Sequence, residues 1–201
     1  MHLPRISLAV VVSLLAAGPA LAADKYTIDR VHTFIGFSAR HMMVSHVRGR
    51  FTDFSGEILL DEEDLPRSSV NVVIKAASIN TNHEKRDSDL RGAEFLNVEQ
   101  FPEITFKSKR IEKSNGGYVA IGDLTIRDVT KEIALPFTLA GPIAGPGGRK
   151  RLGADSEITI NRHDYGVSWN KVMETGGLIV GPEVKIELNV EAVEFEPPSA
   201  P

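Results

Sequence analysis

The 201-residue chain contains no cysteine. Disulfide staples, thiol nucleophiles and thiolate metal sites are therefore excluded. Long helical periodicity is missing too, which argues against a parallel sheet wrapped in helices. Beyond the N-terminus, no apolar run is long enough to cross a membrane as a helix. Cationic excess is also absent: 23 Lys and Arg against 27 Asp and Glu give a formal net charge of −4. That balance argues against a nucleic-acid partner, which calls for a basic face. Catalytic signatures are missing as well, with no G-x-S-x-G, P-loop, G-x-G-x-x-G or H-E-x-x-H.

What is present begins with export. Arg5 precedes an apolar run over 6–17, and Ala20-Leu21-Ala22 forms an A-x-A cleavage site. The run falls short of the roughly 20 residues of a spanning helix. Residues 1–22 are thus expected to be a cleaved signal peptide, and 23–201 a single periplasmic domain. Loss of Arg5 moves the net charge from −4 to −5.

Period-2 alternation fills most of the remainder. Ile35, Phe37 and Ala39 share one face of 33–41. Phe54, Gly56, Ile58 and Leu60 share one face of 50–61, and Val70, Val72, Ile74 and Ala76 one face of 69–79. Ile104 and Phe106 follow Phe101-Pro102. Asn115-Gly116-Gly117 signals a hairpin, leading into strands over 118–127 and 131–140. The glycines and prolines of 141–148 read as a loop. Strands over 151–161 and 184–192 complete a set of about eight, each roughly 9 to 12 residues, against a usual 5 to 6. One-sided antiparallel sheets close into sandwiches or barrels, and long tilted strands favour a barrel. Small inward residues (Ala39, Gly56, Ala76, Ala120, Gly122, Ala154, Ser156) alternate with Phe37, Phe54 and Phe106. They fit an internal cavity and tight packing equally well.

One stretch breaks the alternation. Residues 82–91 hold His83, Glu84, Lys85, Arg86, Asp87, Asp89 and Arg91, followed by the apolar Phe95 and Leu96. A short helical cap over a barrel end fits, with Leu90, Phe95 and Leu96 as plugs. In that reading Arg86, Asp87 and Arg91 form a structural ion network, or one arginine is left to grip a polar head. Arg162 invites the same two readings. A metal site would join His41 or His83 to the carboxylates, but Arg86 and Arg91 would repel a cation; no metal or cofactor is expected.

Taken in order, the motifs resemble those of the YceI-like family of exported, lipocalin-like proteins. They are Tyr26-Thr27-Ile28-Asp29 with His32, His41-Met42-Met43-Val44, Val47-Arg48-Gly49-Arg50-Phe51 and Phe54-Ser55-Gly56. Ser78-Ile79-Asn80-Thr81 leads into Arg86-Asp87-Ser88-Asp89-Leu90-Arg91. Phe101-Pro102-Glu103-Ile104-Thr105-Phe106, Gly122-Asp123-Leu124-Thr125-Ile126-Arg127, Ile160-Asn161-Arg162, Asp164-Tyr165-Gly166 and Trp169 complete the series. The resemblance covers essentially all of 23–201. One position departs: where the family commonly carries His in an Arg-Asp-x-His-Leu run, this chain has Asp89, which cannot donate a hydrogen bond when ionised.

The resemblance implies an all-β, extended eight-stranded antiparallel barrel with a short helical insertion, non-catalytic and often dimeric. It implies an interior that takes a polyisoprenoid, quinone-like or fatty-acyl chain, with transient membrane contact. The residues expected to contact such a ligand are the inward Phe37, Phe54, Ile74, Phe106 and Leu124, with His41, His83, Arg86, Leu90, Phe95 and Trp169 around a mouth. Two rivals stand beside it: a metal-assisted hydrolase at the barrel mouth, and a protein-interaction module with a filled core.

Overall fold

The computed structural model describes residues 23–174 and 176–197. The expected signal peptide and the last four residues lie outside the described residues. Eleven strand segments are formed among the described residues: β1 (Asp24–Ile28), β2 (Phe34–His41), β3 (Ser45–Phe51), β4 (Phe54–Leu60), β5 (Ser69–Lys75), β6 (Ile79–Asn80), β7 (Glu103–Ser114), β8 (Gly117–Ile126), β9 (Val129–Ala144), β10 (Lys150–Asn161) and β11 (Val180–Glu194). One α-helix, α1 (Glu84–Arg91), lies between β6 and β7.

These segments make a closed antiparallel barrel of eight strand positions. β1 and β2 are two halves of one position, as are β3 and β4, and β5 and β6. β1 pairs with β4 while β2 pairs with β3. β4 pairs with β5 while β3 pairs with β6. β7, β8, β9 and β10 follow as neighbours. The long β11 closes the ring, pairing with β10 along one edge and with β1 and then β2 along the other. Closure leaves no long sheet edge exposed.

The strands expected over 50–61 and 69–79 are each interrupted. Thr52 accounts for the first break: its N–H and Oγ1 both bond Ser78, and Arg30 pairs with the adjacent Asp53 at 3.0 Å. The second break is a 3₁₀ turn, Ala76–Ser78, held by Ala76 N–H on Pro102 O and by Ser78 Oγ on Lys75 O. These backbone groups are satisfied across the breaks rather than within a straight ladder, a pattern alternation does not report. The segment read as a loop over 141–148 is mostly strand. β9 runs to Ala144 past a bulge opposite Arg151–Gly153, and only Pro146–Gly148 turns.

Three buried clusters hold the barrel. Tyr26, Leu60, Leu152 and Ala192 pack one end, with Leu65 from the β4–β5 connection against them. Ala76, Ile104, Leu124, Ile126 and Tyr165 pack the other, joined by Leu96 and Val98 from the segment after α1. Ile28, Ile35 and Phe54 form a third. On β10, Leu152 belongs to the first end and Ile160 packs on the second. Eight residue steps along the strand separate them, roughly 26 Å.

Candidate functional site

Inside the barrel lies an apolar cavity of about 190 Å³, which reaches the inner faces of both packed ends. Its walls are the inward residues of the alternating strands. β9 supplies Ile133, Leu135, Phe137 and Leu139; β10 supplies Leu152, Ala154, Ser156 and Ile158; β11 supplies Ile186, Leu188 and Val190. Among the described residues, no ionisable side chain lines it. Its two hydroxyls are committed: Ser156 Oγ donates to Pro136 O at 2.6 Å, and Ser68 Oγ accepts from Asp61 N–H at 2.9 Å. The inward side chains of β9–β11 are mostly only half-buried, whereas Tyr26 and Ala192 are wholly so. The β9–β10 ladder ends at Ser156↔Phe137, beside Pro136, which has no N–H to give.

The sequence-derived candidates divide into two groups. Phe37, Ile74, Phe106 and Leu124 line the cavity. Phe54 is 3% exposed within the third cluster and does not line it. His41, His83, Arg86, Leu90, Phe95 and Trp169 lie outside the cavity wall. Phe95 and Trp169 meet each other, with ring centroids 5.2 Å apart. Residues missing from the candidate set include Phe51, Leu65 and Ile111. Leu65 sits in a short 3₁₀ turn, where period-2 reading has no force.

α1 is held by hydrogen bonds rather than by an ion network. His83 caps it, Nδ1 accepting from Arg86 N–H. Asp87 is buried, and one carboxylate oxygen accepts from both Thr81 N–H and Thr81 Oγ1. Burial opposes the ionised form, but those hydrogen bonds and the nearby Arg91 and Arg86 carry the Asp87 pKa below its usual value. Arg86 donates to Thr81 Oγ1 and O; Arg91 donates to Ala77 O and Ile79 O. Asp89 is exposed. Arg162 is likewise structural. Only 5% exposed, it donates to the carbonyls of Gly181, Val167 and Val180, and desolvation lowers its pKa.

A second polar cluster sits where β1 passes to β2. Asp29, His32 and Glu191 are close enough to share an ion. Arg151 already bridges the two carboxylates from between them. The cation's place is thus taken by a guanidinium. The hydrogen bond from His32 is the largest influence holding the Asp29 carboxyl down at about 2, and Asp29 raises His32 in return.

Comparison with known proteins agrees with this architecture. The YceI-like domain model matches residues 26–192. A UPF0312 protein of Serratia proteamaculans is 40% identical over 185 residues, covering 90% of this chain and 91% of that one. The crystal structure of the Campylobacter jejuni YCEI protein is 29% identical, with a TM-score of 0.67, over 78% of this chain and 90% of that one. A polyisoprenoid binding domain from Saccharophagus degradans shares the fold at 15% identity and a TM-score of 0.61, over 85% of this chain and 98% of that one. By the span of the domain match and the closeness of its relatives, this chain belongs to the YceI-like domain family.

Proposed function

We propose that this protein is a non-catalytic carrier that holds a long apolar molecule, with a prenyl, quinone-like or fatty-acyl chain, inside the barrel. The observation that carries the reading is the cavity between two packed ends, walled without a single ionisable side chain. Each ligand methylene buried there contributes about 0.8 kcal/mol, so a long chain binds well with little polar contact. The naming of a structurally similar domain as polyisoprenoid binding supports the same class.

On this reading the polar end of the ligand lies near α1. The His41 imidazole has no hydrogen-bond partner among the described residues, and the His83 imidazole uses only Nδ1. Arg86 and Arg91 already serve carbonyls. The protein acts in the periplasm after cleavage behind Ala22, which N-terminal sequencing of the exported form checks. The central experiment is lipid extraction and mass spectrometry of protein purified from its own host. An apolar molecule near one per chain is expected; recovery of none from a folded barrel overturns the proposal. Asp89→His, restoring the residue common in the family, is expected to change the head-group classes recovered and leave the chain classes alone.

A further inference from the structure

The β2–β3 hairpin turns through Met42-Met43-Val44, a tip made wholly of apolar side chains. Met42 and Met43 stand at positive φ, 48° and 63°. The three are 43%, 57% and 82% exposed. Val31, Phe34, Ile143 and Phe195 are exposed elsewhere, but among the described residues only this turn sets three consecutive large apolar side chains in solvent, which needs a reason. Val172 adds to it. This residue is 69% exposed, in the segment tied to the tip by Met42 N–H on Ile179 O and Ile179 N–H on Lys171 O.

Behind the tip the same hairpin is basic. The register sets Arg40 opposite His46, Ser38 opposite Arg48 and Gly36 opposite Arg50. Ile35 and Phe37, on the alternate positions, line the cavity, so Arg40, Arg48 and Arg50 face outward, and all are exposed. None of the three has a carboxylate partner within salt-bridge distance among the described residues, whereas Arg30 and Arg67 each pair with an aspartate. Unpaired arginine on an acidic chain of net charge −4 is thus gathered beside one apolar tip.

We propose that the β2–β3 hairpin docks the protein on an anionic lipid bilayer, Met42, Met43 and Val44 entering the head-group region and Arg40, Arg48 and Arg50 resting on lipid phosphates. Two features favour a bilayer over an acidic protein. The apolar side chains project together from the tip of a hairpin turn. Apolar knobs flanked by long cations are also how interfacial elements divide the work between burial and attraction to anionic lipid. The inference goes beyond the carrier proposal and does not depend on what occupies the interior.

The test is co-sedimentation of the protein from its own host with vesicles of phosphatidylcholine alone, or of phosphatidylcholine with phosphatidylglycerol. Binding is expected to the anionic vesicles only, and to weaken with salt. A basic residue near an anionic surface is worth roughly a fivefold change in binding, so Arg48→Gln with Arg50→Gln lowers binding about tenfold or more. Met43→Asn, a residue that tolerates positive φ, weakens it several-fold with the thermal midpoint unchanged. Because the chain lacks cysteine, Val44→Cys takes a single environment-sensitive dye, whose emission shifts to the blue on anionic vesicles. Equal binding to both vesicle types, or no binding, overturns the proposal. So does arginine dependence without a Met43 effect or dye shift, which would mark an electrostatic site for an acidic macromolecule. Lipid extracted from the same variants reports on the carrier reading separately.

Discussion

The ends of the barrel and its middle are built from the same alternating strands, yet they behave differently. At the ends Tyr26, Leu60, Leu152 and Ala192, or Ile104, Leu124, Ile126 and Tyr165, are less than a tenth exposed. In the middle Leu135, Phe137, Ile158, Ile186 and Leu188 face inward but stay half-buried around open space. The chemistry of the side chains is alike, so hydrophobicity alone does not set the outcome. The ends receive extra pieces from connecting segments: Leu65 at one end, Leu96, Val98 and Tyr165 at the other. Of these pieces only Leu65 also lines the cavity, so the β9–β11 wall is less tightly packed than the ends.

That contrast can be broken most severely at Arg162. Arg162→Met would leave the Gly181 and Val167 carbonyls without their donor, Val180 O keeping Asn170 Nδ2, and is expected to cost about 2 kcal/mol or more. The denaturant midpoint would report it, and a loss below about 1 kcal/mol would mean those carbonyls find water. The sharpest comparison pairs Leu60→Ala with Leu135→Ala. At the packed end the substitution should cost about 2–5 kcal/mol; at the hollow wall, with fewer contacts to lose, roughly half as much or less. Equal losses from chemical denaturation would show that the middle is as well packed as the ends.

Tyr26→Phe is expected to run the other way. The Tyr26 hydroxyl is buried with no hydrogen-bond partner, and its removal should stabilise the packed end by about 1 kcal/mol. A loss of stability would reveal an ordered water at that hydroxyl.

The smallest effect is electrostatic. Asp29 is lowered from 3.8 to about 2, so its contribution is full above 3.8 and lost as pH falls through about 2. His32 is raised above 6.5, so its contribution is full below 6.5 and lost as pH rises through the raised value. Both act together between about pH 4 and 6.5. His32 is 56% exposed, so the unfolding temperature should drop by no more than about 3 °C on the alkaline side. His32→Ala should remove that slope, which a pH series of melting curves would show.

Much of this was legible in the residues. Period alone sets Phe37, Ile74 and Phe106 on inward faces, and the resemblance adds Leu124; all four line the cavity. Phe54 has the same period but falls among Ile28 and Ile35, because where a side chain sits along the barrel is set by the stagger of its neighbours. The charged stretch before β7 reads as a short helix, which α1 is, but of its expected plugs only Leu96 packs against the buried cluster at that end. Its bonding was not readable: Arg86, Asp87 and Arg91 look like an ion network in sequence, but each satisfies backbone or hydroxyl groups of 77–81 instead.

The alternation of side chains by itself determined one-sided antiparallel strands around an apolar interior, because a strand has only two faces and burial selects one. The absence of cysteine and of helical period narrowed the class further. Tertiary structure alone decided whether that interior is filled or hollow, since the answer depends on which connecting segments reach inside. It also decided which arginines are spent. Arg162 and Arg86 bond carbonyls supplied by distant or folded-back segments, while Arg40, Arg48 and Arg50 meet none, and no spacing in the chain distinguishes the two groups.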